Sequence, residues 1–228
     1  MHISSADAKK YLSQHGWVST LSGELLDAFL SITHHVTLGP GQPLYSIDDP
    51  ARDLFGLASG SIAIESAGTE NVIEKSFLMH PAVWIGAARL AGIKRRNIGA
   101  YATRPSTILV VKSNEFVSFA ETYPDIWRRL LLNQIQNHQR AIGFAHDLMR
   151  RGSHERLIAV LARLAGLYEP NPPVPAIVDA THREIATMAN LSRGVVSSRL
   201  AELERKELIS LGRASVTITD PKGLLAML

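Results

Sequence analysis

Residues 179–220 read DATHREIATMANLSRGVVSSRLAELERKELISLGRASVTITD. The stretch predicts a helix, a tight turn, a second helix and a two-stranded hairpin. Thr181 is placed to cap the first helix, with Glu184 three residues on as its capping-box partner. Ile185, Ala186 and Met188 give that helix a small apolar face. Asn190 stands where a sharp turn wants a left-handed residue, a conformation that Asn tolerates better than most. Ser192 then caps a second helix, whose Val196, Leu200 and Leu203 recur at intervals of 4 and 3 and face inward. The opposite face carries Arg193, Gly194, Ser197 and Ser198, with Arg199 rotated by about one residue. These side chains are basic, absent or small, the profile of a helix that enters a major groove. Beyond Lys206, LISLGRASVTITD reads as two short strands about Gly212 and Arg213, which makes a wing.

The order of these features resembles the winged helix-turn-helix of the cAMP receptor protein / fumarate–nitrate regulator (CRP/FNR) family of bacterial transcription regulators. REIA in the first helix, LSR opening the second, RLAELERKELI leading to the wing and TDPKGLLAM closing it carry the resemblance. It implies an α+β chain in three parts. Residues 1–123 would form a cyclic-nucleotide-binding-like double-stranded β-helix (jelly roll) with N-terminal helices. Residues 124–151 would form a dimerisation helix, and 152–228 the winged helix-turn-helix. The implied partners are a double-stranded DNA operator, a second copy of the chain and, for an activator, RNA polymerase. Thr181, Arg193, Gly194, Ser197, Ser198, Arg199 and Arg213 are the expected DNA-binding positions. The family usually carries Glu where Gly194 stands and a second Arg where Ser198 stands, so the family's usual target sequence does not transfer.

Composition fits this outline. The chain has 228 residues, which allows one large or two modest domains, and its 46% hydrophobic share is ample for real cores. It contains no cysteine, which removes disulfides, thiolate nucleophiles and cysteine-ligated zinc or iron–sulfur sites. The N-terminal MHISSADAKKYLSQHGW lacks an apolar signal core, and no stretch approaches 18 apolar residues. The expected location is therefore the cytoplasm, without a membrane partner.

From the N-terminus, residues 1 to 35 read as helical, with Leu21, Leu25, Leu26 and Phe29 on one face. From Val36 onward short β-like runs are separated by Gly-Pro-Gly, Asp-Asp-Pro, Ser-Gly-Ser and Ala-Gly-Thr, and YATRPSTILVVK adds a strand pair. Close-spaced strands with turn signals predict a barrel or jelly roll. Residues 124–151 predict a long helix. In it Leu131, Ile135, His138, Ile142, Ala145 and Met149 follow a 4-3-4-3-4 spacing, an a/d seam over nearly three heptads that predicts a dimer interface. Leu130, Ala141, Phe144 and Leu148 form a second apolar line. Arg150-Arg151-Gly152-Ser153 marks a break, with Ser153 placed to cap the next helix. PNPPVPA at 170–176 is a proline-stiffened connector that cannot be helical.

The resemblance also assigns a ligand cassette, WIGAARLAGIKRRNIGAYA at 84–102. In cyclic-nucleotide-binding members a Gly-Glu pair takes the ribose hydroxyl. An Arg about ten residues later takes the phosphate, followed by a small hydroxyl residue. Here Gly86 matches, Ala87 stands in place of Glu, Arg96 is the best match for Arg, and Asn97 stands in place of Ser or Thr. Loss of a charged acceptor to a buried hydroxyl costs about 1.5–3 kcal/mol, roughly ten- to a hundredfold in affinity. No cofactor is expected. Between Lys75 and Asn114 no Asp or Glu occurs, while Lys75, Arg89, Lys94, Arg95, Arg96, Arg104 and Lys112 do. Convergence of some of them would hold a small anionic effector.

Three functions compete: a DNA-binding regulator, a cAMP- or cGMP-responsive version of it in which Arg96 suffices, and a cupin-like metal enzyme built on the barrel. The enzyme needs a His/His/Glu/His cluster on barrel strands. The acid-free run and the lack of paired strand histidines oppose it. His2, His34 and His35 match no strong metal spacing.

Overall fold

The computed structural model describes residues 2–67, 73–169 and 171–228. The expected Ala-Gly-Thr turn, centred on Gly68, and the side chain of Lys75 lie outside the described residues. Contacts divide the chain into two compact units, residues 1–137 and 138–228.

The first unit begins with α1 (Ser5–Gln14), a 3-10 turn at Trp17–Thr20 and α2 (Gly23–Ser31). Eight strands follow: β1 (His34–Leu38), β2 (Pro43–Tyr45), β3 (Leu54–Ser59), β4 (Ile62–Ala67), β5 (Ile73–Met79), β6 (Trp84–Ile85), β7 (Ile98–Ala102) and β8 (Ser106–Val111). They form two antiparallel four-stranded sheets, ordered β1-β8-β3-β6 and β2-β7-β4-β5. Then come α3 (Ser113–Thr122) and α4 (Ile126–Leu148), which contributes to both units.

Burial in β3 and β8 explains why these strands are apolar throughout. Side chains alternate across a strand, and here both faces are covered. Phe55, Leu57, Ile108 and Val110 point between the sheets with Tyr45, Ile62, Met79 and Ala100. Leu54, Ala58, Leu109 and Val111 point outward into a second cluster with Trp17, Phe29, Trp84 and Phe116. The rings of Trp17 and Phe29 each pack on Trp84, at 5.9 Å and 5.7 Å between centroids. The expected apolar face of the N-terminal helices is present: Phe29 and Leu21 are buried there, with Leu25 and Leu26 against them. On α4, Asn133 and Asn137 both donate to the Trp84 carbonyl, at 3.1 and 2.8 Å, which satisfies a buried acceptor.

The second unit holds the last turns of α4, then α5 (Ser153–Leu164), β9 (Ala176–Val178), α6 (His182–Ala189), α7 (Arg193–Arg205), β10 (Ile209–Leu211), β11 (Val216–Ile218) and α8 (Pro221–Leu225). Ser153 is the first residue of α5 rather than its cap, a position taken by Gly152. α5 is the centre of this unit, with Leu157, Ile158, Val160 and Leu161 fully buried. The wing is three-stranded, ordered β10-β11-β9. The sequence anticipated only two of these strands, because Ala176-Ile177-Val178 is a short run behind four prolines.

Candidate nucleic-acid interface and ligand pocket

The helix-turn-helix is built from short-range hydrogen bonds. Thr181 Oγ1 accepts from the Glu184 amide at 3.2 Å, and the Thr181 amide donates to Glu184 Oε2 at 2.7 Å, completing the capping box. α6 ends on Asn190 at φ 49°, ψ 53°, the left-handed conformation that turns the chain toward α7. Ser192 Oγ accepts from the Val195 amide at 3.3 Å and caps α7. Val196, Leu200 and Leu203 are fully buried and seat the helix.

On the outer face of α7, Arg193, Gly194 and Ser198 are exposed. A Cβ built on Gly194 would meet nothing within 4 Å, so this part of the helix is flat and open. Ser197 is half-buried, and its Oγ lies 3.1 Å from Nδ1 of His182 at the start of α6. Arg199 donates to Glu202 Oε2 at 3.0 Å. That hydrogen bond holds the Glu202 carboxyl below its usual range, with Lys206 adding to it at 3.3 Å. Arg213 is exposed at the wing turn, closed by Gly212 N to Ser215 O at 2.9 Å. The structure therefore gathers Arg193, Gly194 and Ser198 on one free surface and gives Ser197 and Arg199 protein partners. The Arg199–Glu202 pair follows from i,i+3 spacing and was legible in the sequence. The His182 contact, across 15 residues, was not.

In the barrel, Gly86 and Arg96 come together. Gly86 adopts φ 104°, and a Cβ there would sit 2.5 Å from the Asp53 carbonyl. Arg96 is 5% exposed. Its Nη1 donates to the Gly86 carbonyl at 3.2 Å, and its Nη2 donates to the carbonyls of Asp53, at 3.2 Å, and Arg52. The guanidinium carbon lies 4.3 Å from the centre of the Tyr45 ring and 5.6 Å from that of Phe55. Among the described residues no carboxylate forms an ion pair with it. Burial pulls its pKa down, opposed by Tyr45, Asp53 and Asp49. Ala87 packs instead with the outer, helical cluster, and Asn97 is exposed. Of the four cassette residues, two meet.

The other described basic residues of the acid-free run do not converge on Arg96. Lys94 is exposed, Arg95 bonds Asp48 at 3.2 Å, and Lys112 lies 3.6 Å from Glu115. Arg104 donates to the Thr103 carbonyl. Arg89 lines an open hollow of about 710 Å³ with Arg52, Asp53 and Ser113. His34 pairs with Glu115 at 2.7 Å and His35 contacts the Ile3 carbonyl. Among the described residues no three of His, Cys, Asp and Glu gather as a metal site would require. No helix among them is long and apolar enough to cross a membrane.

The seam residues Leu131, Ile135, His138, Ile142, Ala145 and Met149 are all exposed in the single chain. Ile142 is 56% and Met149 79% exposed. Trp127, four residues before Leu131, extends the apolar line toward the start of α4.

Residues 155–227 match the Crp-like helix-turn-helix domain. The transcriptional activatory protein AadR of Rhodopseudomonas palustris is 25% identical over 209 residues, covering 88% of this chain and 84% of that one. FixK2 of Bradyrhizobium japonicum has a similar structure, with a TM-score of 0.69, 16% identity, and coverage of 86% of this chain and 96% of the other. The c-di-GMP responsive global regulator CLP of Xanthomonas campestris has a TM-score of 0.58 at 18% identity, over 85% and 97% of the two chains. The chain therefore carries a Crp-like helix-turn-helix domain at 155–227 and, over most of its length, resembles a transcriptional activatory protein in sequence and solved regulators in fold.

Proposed function

We propose that the protein works as a homodimer joined through α4, each copy laying α7 in the major groove of one half of a double-stranded DNA operator. The observation that carries the reading is the exposed a/d seam on α4. A line of Leu, Ile and Met left open to water on one helix face is stabilised by burial against a second copy. Arg193 begins α7 directly after the cap, on the free surface, and reads guanine through its paired acceptors. Arg213 on the wing contacts the phosphate backbone. In an activator, RNA polymerase is the further partner. The protein acts in the cytoplasm.

The barrel does not operate as a cAMP or cGMP receptor. Arg96, the residue that would take the phosphate, has its Nη1 and Nη2 on three backbone carbonyls and its face on Tyr45, and Ala87 offers no acceptor to a ribose. A small anion held by Arg96 would have to displace those contacts.

Two measurements test the proposal. Ile135→Asp and Ile142→Asp should each turn the dimer into a monomer in light scattering, and an unchanged dimer for both defeats the dimer reading. Calorimetric titration with cAMP and cGMP should give no heat of binding. Tight binding that Arg96→Ala abolishes would restore the cyclic-nucleotide alternative.

A further inference from the structure

The C-terminal half of α4 has a second face, half a turn of helix away from the seam. It carries Arg140, Gly143 and Asp147. Asp147 is 2% exposed, and its Oδ2 accepts from Nε of Arg163 on α5 at 2.6 Å. The Arg163 guanidinium rests 4.8 Å from the Tyr168 ring centre and crosses α4 at Gly143, where a Cβ would stand 2.5 Å from Nη1. Two turns before Asp147, Arg140 forks onto Glu169, with Nε to Oε1 at 2.8 Å and Nη2 to Oε2 at 2.7 Å. These groups lie within one compact unit, which also contains α7.

Asp147 is buried and the other three side chains are part-buried; such charges are costly to desolvate, and apolar packing of similar volume would stabilise the junction as well or better. Ion pairs with forked, directional hydrogen bonds do what apolar contacts do poorly: they admit one geometry. We infer that the Asp147–Arg163 pair, on α5, and the Arg140–Glu169 pair, in the turn after it, are positioning contacts that fix α5, and through its buried face α6 and α7, against α4. Resting on the dimer reading above, this sets the distance and angle between the two reading helices. The clamp then determines which half-site spacing the protein accepts, without touching DNA.

The test uses the full-length protein and a duplex it selects from a random pool, re-synthesised with one or two base pairs added between the half-sites. Each insertion moves the half-sites apart by about 3.4 Å and rotates them by about 34°. For the wild-type chain one insertion should lower affinity about 100-fold, the low end of what joining two contacts gains. In Arg163→Met the loss should shrink to about 10-fold or less, with base preference within each half-site unchanged. Arg163→Lys, which keeps the charge, should recover part of the penalty. Circular dichroism and light scattering establish that each variant is folded and dimeric. Where Arg163→Met does not fold, Glu169→Gln and Gly143→Ala loosen the same clamp and replace it in the comparison. Folded dimeric variants that retain the full wild-type penalty overturn the inference alone. A wild-type monomer with no spacing preference overturns the dimer reading, and the inference with it.

Discussion

The guanidinium of Arg96 lies 4.3 Å from the centre of the Tyr45 ring, while its Nη1 and Nη2 donate to the carbonyls of Gly86, Arg52 and Asp53. These contacts tie the cassette to the loop before β3 and to β2. Arg96→Met should therefore behave as a stability mutation. Orphaning carbonyls that now receive a charged donor should lower unfolding free energy by about 2–4 kcal/mol. Denaturant unfolding measures this. An unchanged midpoint would mean that the arginine is kept for a ligand instead.

Tyr45 makes the same junction sensitive to alkali. Burial pushes its phenol up to about 12, with Arg96 pulling the other way. The folded state prefers the neutral phenol, so the stabilisation is fully present below pH 10, the ordinary value, and is lost as pH rises toward 12. The loss should reach about 2–3 kcal/mol at most. Unfolding free energies of wild type and Tyr45→Phe should converge in slope below pH 10 and diverge above it. A Tyr45 that ionises with the ordinary tyrosines in the difference absorbance would contradict this.

On α7, Gly194→Ala should raise stability by about 0.5–1 kcal/mol, because a helical glycine is replaced where the added Cβ meets no atom within 4 Å. Arg193→Ala should leave thermal stability near wild type and remove about 1–3 kcal/mol of base discrimination. Competition binding with single-base operator variants reads the second effect. Unchanged affinity and base preference would remove Arg193 from the reading role.

At the outer core, Gly56 faces Trp84 across the β3–β6 pair, and a Cβ on it would lie 2.3 Å from the indole. Gly56→Ala should overpack this site and destabilise the first unit by about 1–3 kcal/mol. A thermal midpoint equal to wild type would show that Trp84 can move aside, against its packing between Trp17 and Phe29.

The amino-acid sequence alone determined the features whose causes lie within one or two helical turns. The Thr181–Glu184 box, the left-handed Asn190, the Ser192 cap and the 4-3-4-3-4 seam of α4 all depend on hydrogen bonds or side-chain periods a few residues long. Those of them that belong to the helix-turn-helix also carried the family resemblance. Tertiary structure decided what depends on atoms far apart in the chain. Arg96 could have faced a ligand or solvent; carbonyls 43 and 44 residues earlier and the Tyr45 ring hold it in the wall of the barrel. β9 is a strand only because β11 offers it a paired edge. Asp147 and Arg163, 16 residues apart on different helices, carry no pattern in sequence, since an ion pair between two elements is set by how those elements pack and not by local spacing.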